Sequence, residues 1–240
     1  MTGTGSQTKL WYLKNFDIFG DMDAALIEQL DRMTTSQQVR KGELLYFPAQ
    51  RSRAVFFLKH GHVKISRFDE NGREMIVDIL GPGEIFGEIF PEGQDSSSYD
   101  TVEALDDVLI CAISPEDFRM LLNRHPEASF ELVKQVGFRM RRIERRLTDY
   151  LYCDVVTRLI RLLVSLAEDF GKIRQGIATL SLPLSHSEIA MLIGASRQTV
   201  TSVLGQLRSK GFLEYSRHHI IIKQYENLRR LAQQQIQQHS

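Results

Sequence analysis

Hydrophobic and polar residues follow three different patterns along this chain. From about Val39 to Ile113, short apolar runs alternate with glycine turns, after short helical patterns over residues 11–34. The runs are LLYF (44–47), AVFFL (54–58), HVKISRF (62–68), EMIVDIL (74–80) and VLICAI (108–113). Asn71-Gly72 between two runs is a strong hairpin signal. Many short strands at regular spacing predict a β-sandwich or barrel.

The second pattern predicts a long helix after Pro126. Before it, Ser114-Pro115-Glu116-Asp117 has the cap, proline and acids that open a shorter helix. In the long helix, apolar residues recur at intervals of three and four, which is a heptad seam. The seam residues are Val133, Val136, Met140, Ile143, Leu147 and Tyr150. So narrow a stripe favours pairing with the same helix of a second subunit over packing against its own core. Asp154, Val155 and Val156 are predicted to form a hinge after it.

The third pattern, SHSEIAMLIGASRQTVTSVLGQLR (185–208), predicts two short helices around a tight turn. Ser185 and Glu188 form a capping box for the first helix, and Gly194 ends it. Ser196 is a suitable N-cap for a second helix over 197–209. Its apolar face leaves a polar set outside, at the end that meets base edges in helix-turn-helix proteins. That candidate DNA-binding set is Ser196, Arg197, Gln198, Thr199, Thr201 and Ser202.

The residue types of this outer face decide between DNA binding and an ordinary helical hairpin in a core. Arginine can make two hydrogen bonds to guanine, and glutamine two to adenine. Serine and threonine suit phosphates and sugars. The segment FLEYSRHHIIIK (212–223) predicts two short strands of a wing, and ATLSLPL (178–184) predicts a strand before the motif.

Charge distribution supports a nucleic-acid partner for the C-terminal part. The whole chain of 240 residues has a net charge of zero. Residues 155–240, however, have 11 lysines and arginines against 5 acids, or +6, while the first 154 residues have 19 against 25, or −6. A basic C-terminal part on an acidic body is what an appended DNA-binding domain would show.

Several function classes are not expected from the sequence. The two cysteines, Cys111 and Cys153, give neither a disulfide framework nor zinc-ligand spacing, and no metal site is expected. We expect Cys111 to be buried and Cys153 to be exposed. Neither a nucleophile elbow nor a phosphate-binding glycine loop is present, so an enzyme is not expected. Without a signal peptide or an apolar span of about 18 residues, a cytoplasmic protein with no membrane partner is expected.

The order of these parts resembles the family of the cyclic-AMP receptor protein and the fumarate-nitrate reduction regulator (the CRP/FNR family). The similar segments are PGEIFGEIF (82–90), CDVVTRLIRLL (153–163) and SHSEIAMLIGASRQTVTSVL (185–204). The resemblance implies an α+β fold with three parts: an effector-binding β-roll over 1–125, a dimerisation helix over 126–154, and a winged helix-turn-helix over 155–240. It implies a homodimeric transcription regulator that reads a near-palindromic site on double-stranded DNA and acts with RNA polymerase. A signalling module that acts through protein partners is the alternative.

The resemblance also implies recognition residues, with differences from the family pattern. Arg197 matches the family's guanine-reading arginine. Gln198 stands where the cyclic-AMP receptor protein has a glutamate, and Ser202 where it has a second arginine. The half-site is therefore expected to overlap the family's common one without equalling it.

The effector implied by the resemblance stays open. The candidate pocket residues are Phe86, Gly87, Glu88, Ile89, Ser97, Ser98, Arg139, Ile143 and Glu144. For cyclic AMP, Gly87 and Glu88 match, but Ser98 replaces the phosphate-binding arginine. For 2-oxoglutarate, Arg139 and Glu144 match, but Ser97 replaces the arginine of the roll. An iron–sulfur cluster is not expected, haem on His60, His62 or Cys111 stays possible, and the dimer could need no cofactor.

Overall fold

The computed structural model describes residues 30, 32–46, 54–87, 100–216 and 219–234. These residues form two compact units. The first contains the described residues up to Phe68 together with Ile79–Met140, and the second contains Asp69–Asp78 together with those from Arg141 onward. The predicted parts 1–125, 126–154 and 155–240 follow the order of elements instead and stay a prediction.

Eight strands form two four-stranded sheets. They are β1 (Thr35–Val39), β2 (Leu44–Tyr46), β3 (Val55–His60), β4 (Val63–Phe68), β5 (Glu74–Leu80), β6 (Ile85–Gly87), β7 (Asp100–Ala104) and β8 (Val108–Ile113). One sheet has the order β1-β8-β3-β6 and the other β2-β7-β4-β5. All five predicted runs contain strands, and the predicted α+β fold with an N-terminal roll is confirmed.

Strand β3 separates two hydrophobic cores because its side chains alternate between the faces of the sheet. Phe56 and Leu58 point into the roll, where both sheets contribute apolar residues. Val55 and Phe57 point to the other face, toward the helices that follow β8. Both faces of this strand are therefore buried.

Three strands of the roll are not predicted from the sequence. β1 has four exposed residues out of five, so it lacks an alternating apolar pattern. β7 follows a serine-rich stretch that reads as a loop. The third is β6, whose residues Ile85–Gly87 pair with β3. Glu88–Phe90 and almost all of the helical patterns over 11–34 lie outside the described residues.

Two helices follow the roll, α1 (Pro115–Arg124) and α2 (Pro126–Tyr152). Ser114 caps α1 as predicted, since its side chain accepts a hydrogen bond of 3.0 Å from the backbone N–H of Asp117. Phe118 and Leu121 of α1 are buried in the core beside β3. The predicted long helix is confirmed by α2.

The second unit combines four helices and a small sheet with the C-terminal part of α2. The elements are α3 (Val155–Phe170), β9 (Lys172–Arg174), β10 (Ile177–Leu180), α4 (His186–Ile193), α5 (Arg197–Ser209), β11 (Leu213–Tyr215), β12 (Ile220–Ile222) and α6 (Tyr225–Gln234). The sheet has the order β11-β12-β10-β9. Leu159 and Leu163 of α3 are fully buried. Truncation of either to alanine would cost about 2–5 kcal/mol of stability.

The hinge between α2 and α3 is shorter than the sequence predicts. Asp154 is the N-cap of α3, and its carboxylate accepts a hydrogen bond of 2.8 Å from Thr157 N–H. Val155 and Val156 are therefore already helical, which corrects their predicted place in the hinge. Only Cys153 and Asp154 separate the two helices.

Strand β9 was also not predicted, since three residues before a Gln-Gly turn give too short a pattern.

None of the helices in the described part of the chain combines the length and hydrophobicity that crossing a bilayer requires. Over the same residues, no three side chains of histidine, cysteine, aspartate or glutamate come together in a way that could hold a metal ion.

Candidate nucleic-acid interface

The first helix of the predicted motif is fixed by a capping box. The Ser185 side chain accepts a hydrogen bond of 3.2 Å from Glu188 N–H, and the Glu188 carboxylate accepts one of 2.7 Å from Ser185 N–H. The helix ends at Gly194, whose φ of 61° lies in the left-handed region that glycine adopts without strain. The predicted helix, cap and turn are confirmed.

The second helix, α5, buries one face and exposes the other. Its apolar residues Val200, Val203, Leu204 and Leu207 are buried as predicted. Ser196 caps the helix by accepting a hydrogen bond of 3.1 Å from Thr199 N–H, and the two hydroxyls lie 2.8 Å apart. The hydroxyls of Ser196 and Thr199 thus serve the cap itself.

All six predicted DNA-binding residues are exposed, and the four whose side chains do not form the cap are Arg197, Gln198, Thr201 and Ser202 of α5. The first two carry the donors and acceptors that match guanine and adenine edges. They stand in the first turn of the helix, the part that enters the major groove in this motif. The arrangement can therefore read bases, and its contacts with DNA stay a prediction.

His186 joins this face although the sequence did not single it out. Its Nδ1 lies 2.8 Å from Thr201 Oγ1, and Thr201 Oγ1 donates a 2.9 Å hydrogen bond to the backbone oxygen of Arg197. The imidazole also meets the ring of Tyr215 edge-on, with centroids 5.3 Å apart. Burial and, second, the charge of Arg197 lower the pKa of His186 below 6.5. The two partners are 15 residues apart, so no local pattern could reveal the pair.

The wing follows α5 as predicted. Strands β11 and β12 pair in antiparallel register, with Leu213 opposite Ile222. Lys223 donates a 2.6 Å hydrogen bond to Glu214, which lowers the pKa of that carboxyl. The guanidinium of Arg208 lies 5.6 Å from the Tyr215 ring centroid, a cation–π distance. The tip at residues 217–218 lies outside the described residues.

The last turns of α2 contact the turn of the helix-turn-helix. A Cβ atom on Gly194 would lie 2.6 Å from Cε2 of Tyr150, so the tyrosine ring covers this glycine. The guanidinium of Arg158 lies 5.1 Å from the ring centroid and donates a 3.3 Å hydrogen bond to Tyr150 O. Tyr150 is still 59% exposed. A predicted seam residue therefore also touches the DNA-binding motif.

A buried carboxylate holds two arginines of α2. Asp78 at β5 receives hydrogen bonds of 3.1 Å from Arg142 and from Arg146. Asp169 near the end of α3 lies 4.0 Å from Arg142. Burial lowers the pKa of Arg146, and the charge of Asp78 opposes that effect. No local pattern indicates this cluster, because Asp78 lies 64 and 68 residues from its partners.

Three of the described sensor candidates differ in exposure: Phe86 is buried, Arg139 is half-buried and Gly87 is exposed. Phe86 is 2% exposed, and its ring stacks on Phe56 with centroids 5.1 Å apart. Gly87 has a φ of 101°, and a Cβ there would lie 2.4 Å from Ala54 O, so only glycine fits. Arg139 donates a 3.0 Å hydrogen bond to Ile85 O.

The remaining sensor candidates divide into two groups. Ile143 and Glu144 of α2 are exposed. Glu88, Ile89, Ser97 and Ser98 lie outside the described residues. The effector role of all nine candidates stays a prediction.

The two cysteines differ in environment. Cys111 is fully buried as predicted, and its Sγ lies 3.2 Å from Ser36 Oγ. Cys153 is half-buried rather than exposed, because Arg161 packs against it with Nη1 3.2 Å from Sγ. The same guanidinium also pairs with Asp149. Burial raises the pKa of the Cys153 thiol, which lowers its thiolate fraction.

Two family models match separate parts of this chain. The cyclic nucleotide-binding domain matches residues 36–125, and the Crp-like helix-turn-helix domain matches residues 157–231. A relative named cyclic AMP receptor protein, from Thermus thermophilus, is 30% identical over 71% of this chain and 76% of its own length. This chain belongs to the CRP/FNR family. It is a transcription regulator with a sensor domain of the cyclic-nucleotide-binding type and a helix-turn-helix DNA-binding domain.

Other members of the family match this regulator over nearly its whole length. A CRP-like cAMP-activated global transcriptional regulator of Mycobacterium tuberculosis is 29% identical over 90% of this chain and 96% of its own length. The solved structure of a CooA mutant from Carboxydothermus hydrogenoformans has the same fold, with a TM-score of 0.71 at 23% identity over 90% of this chain and 94% of that one. The relatives are transcription regulators rather than enzymes.

Proposed function

We propose that this regulator is a homodimer that reads a near-palindromic DNA site through the exposed first turn of α5. The observation that supports this most is the pair Arg197 and Gln198, exposed at the N-terminal end of a capped helix. Each can make two hydrogen bonds to one base, and each such pair is worth about 1–3 kcal/mol of discrimination. Ser196, Thr199, Thr201 and Ser202 complete the contacts, and the hydroxyls of the first two also hold the cap.

The seam of α2 supports the dimer. Its six residues Val133, Val136, Met140, Ile143, Leu147 and Tyr150 are each between 40% and 67% exposed in one chain. An apolar stripe of this size on one helix is costly in water, and pairing with a second copy would cover it. Two copies related by a twofold axis would present two recognition helices to successive major grooves, which gives a near-palindromic site.

We also propose that the protein acts in the cytoplasm together with RNA polymerase, without a membrane partner or catalytic activity. The sensor roll has three alternatives. It binds cyclic AMP, as the names of two relatives suggest, or it binds 2-oxoglutarate, or it needs no effector. Ser97 and Ser98 replace arginines that would neutralise an anionic ligand, and loss of such a charge-assisted contact weakens binding. Of the three alternatives, we therefore favour a dimer that binds DNA without a ligand.

The test is a selection of bound duplexes from random DNA by the purified protein, without ligand, with cyclic AMP and with 2-oxoglutarate. Enrichment of one palindromic motif without ligand would support the ligand-independent form. Enrichment with only one ligand would identify the effector. No motif, together with no salt-sensitive binding to any duplex, would overturn the proposed DNA contacts.

The dimer is tested separately by sedimentation of Leu147→Glu, which places a charge in the C-terminal half of the seam. We expect this variant to sediment as a monomer and to lose binding to the palindrome. Arg145→Glu is the control, because Arg145 is exposed on the same helix but outside the seam. A dimeric Leu147→Glu protein would contradict the proposed interface.

A further inference from the structure

We propose that His186 is a positioning residue of the DNA-binding face, which holds Thr201 and the first turn of α5 in the conformation that reads bases. The inference rests on the proposed role of α5 in reading DNA. It adds a residue from the first helix of the motif, which lies outside the predicted recognition set.

The hydrogen bonds of Thr201 assign the protons in this pair. A threonine hydroxyl has one proton, and here it is donated to Arg197 O at 2.9 Å. The 2.8 Å contact with His186 Nδ1 is then a bond that Thr201 accepts, so Nδ1 carries a proton. The neutral imidazole, which the lowered pKa favours, is therefore the Nδ1–H form.

The position of His186 makes this bond a link between three elements. His186 is the first residue of α4, Thr201 lies in the second turn of α5, and Tyr215 ends β11 of the wing. The imidazole bonds to α5 and packs against the wing ring at 5.3 Å. Among the residues that the structure describes, the charge of Arg197 of α5 acts on the imidazole, and the titratable ring of Tyr215 of β11 packs against it.

The bond acts on the residues that are proposed to meet bases. The Thr201 hydroxyl makes two hydrogen bonds: it accepts one from His186 and donates one to the backbone oxygen of Arg197. Loss of the imidazole donor would remove one of these two restraints on the Thr201 side chain and loosen this turn of α5. Base readout depends on placing side chains within a few tenths of an ångström, whereas attraction to phosphates does not. Specific binding should therefore suffer more than non-specific binding.

The experiment compares His186→Leu with His186→Asn, because the asparagine amide carries an N–H close to the place of Nδ1 and leucine does not. Affinity is measured for the selected palindrome and for an unrelated duplex at one salt concentration. We expect His186→Leu to weaken palindrome binding about three- to tenfold, the size of one hydrogen bond, and His186→Asn to stay within about twofold. Binding to the unrelated duplex should not change.

A double-mutant cycle with Thr201→Val tests the pair itself. In the Thr201→Val protein, His186→Leu should have almost no further effect, because the partner hydroxyl is already missing. Effects that multiply would overturn the proposal. So would an equal loss on both duplexes, which would show that the imidazole contacts phosphates. Thermal melting of each variant separates these results from unfolding.

A measurement without DNA keeps the proposal distinct from the proposed function. The ¹⁵N chemical shifts of His186, recorded at about pH 8 where the ring is neutral, show which nitrogen carries the proton. The Nδ1–H form is expected, and the Nε2–H form would overturn the assigned donor. If the ¹⁵N shifts show the Nδ1–H form but wild-type protein enriches no DNA motif, the proposed base contacts are wrong, whereas the hydrogen bond between His186 and Thr201 is still supported.

Discussion

Two groups of arginines in the second unit show how one residue type occurs in opposite surroundings. Arg197 begins the recognition helix with an exposed side chain. Arg142 and Arg146 of α2 retain 18% and 24% of their side-chain exposure and bind the buried carboxylate of Asp78. The first is hydrated and available to a polyanion, and the other two have exchanged water for a fixed partner. The sequence shows an arginine in each case, and only the surroundings separate recognition from structure.

The difference has a physical origin in desolvation. Removing a charge from water costs several kcal/mol unless a partner of opposite charge and good geometry replaces the water. Asp78 supplies that partner to two guanidinium groups, with 4% of its own side chain exposed. Substitution of Arg197 should therefore change DNA binding and leave the free energy of unfolding unchanged. Substitutions in the cluster of Asp78 with Arg142 and Arg146 should lower the free energy of unfolding and leave the DNA contacts of α5 unchanged.

The largest expected effect is that of Arg197→Ala on DNA binding. We expect a loss of about 1–3 kcal/mol per half-site, or roughly 5- to 150-fold, with weaker preference for guanine. Thermal stability should stay unchanged, because the side chain is exposed. Arg230→Ala is the control, since it removes an exposed charge from α6 of the same unit. Equal losses in both variants would break the comparison and point to net charge alone.

Asp78→Asn tests the second group of arginines through stability. The change leaves both guanidinium groups without their carboxylate, and we expect the free energy of unfolding to fall by about 1–3 kcal/mol. This is less than for a fully buried pair, because both arginines keep some contact with water. Urea unfolding measures it. Glu70→Gln is the control, since Glu70 is an exposed acid in the connection that precedes β5. Equal stability of the two variants would show that Asp78 contributes nothing.

Asp154→Ala is expected to have a smaller effect that depends on pH. Loss of an N-cap costs about 0.5–2 kcal/mol. Hydrogen bonds from Thr157 lower the pKa of Asp154 below 3.8. A carboxyl group with a lowered pKa stabilises the fold above its unfolded value and loses that contribution as the pH falls through the folded value.

The control for this cap is Asp154→Asn, which keeps a capping side chain without a titrating charge. Unfolding at about pH 7 and at about pH 3 should show a difference between wild type and Asp154→Ala that narrows in acid. The asparagine variant should lie close to wild type at neutral pH. A difference that widens as the pH falls would contradict the assignment.

The smallest expected effect is at Cys153, beside a third arginine. Burial raises the pKa of its thiol despite the nearby guanidinium of Arg161. Alkylation by iodoacetamide at neutral pH should therefore be slower than that of a free cysteine in unfolded chain. Cys153→Ser should change DNA affinity by less than about twofold. A fast reaction that abolishes DNA binding would contradict this expectation and show that the thiol is reactive and affects DNA binding.

Local signals predicted the helix-turn-helix more fully than the roll. Caps and turns depend on residues three or four positions apart, so Ser185, Glu188, Gly194 and Ser196 could be assigned from the sequence alone. Strand β1 could not, because its polar residues are placed by pairing with β8 some 75 residues later. Contacts such as Asp78 with Arg146 have no local pattern at all. The sensor site is the least predictable part, since residues such as Phe86 and Arg139 have contacts that lie far away in the sequence.

The contact between Tyr150 and Gly194 limits how freely the second unit can rearrange. Two residues separate α2 from α3, and each has two soft backbone torsions, so the connection alone would act as a swivel. The Tyr150 ring on Gly194 restricts that rotation, because rotating the helix-turn-helix about the connection would break the contact between the ring and the glycine. Relative motion of the end of α2 and of α5 is therefore restrained by one aromatic ring and one residue without a side chain.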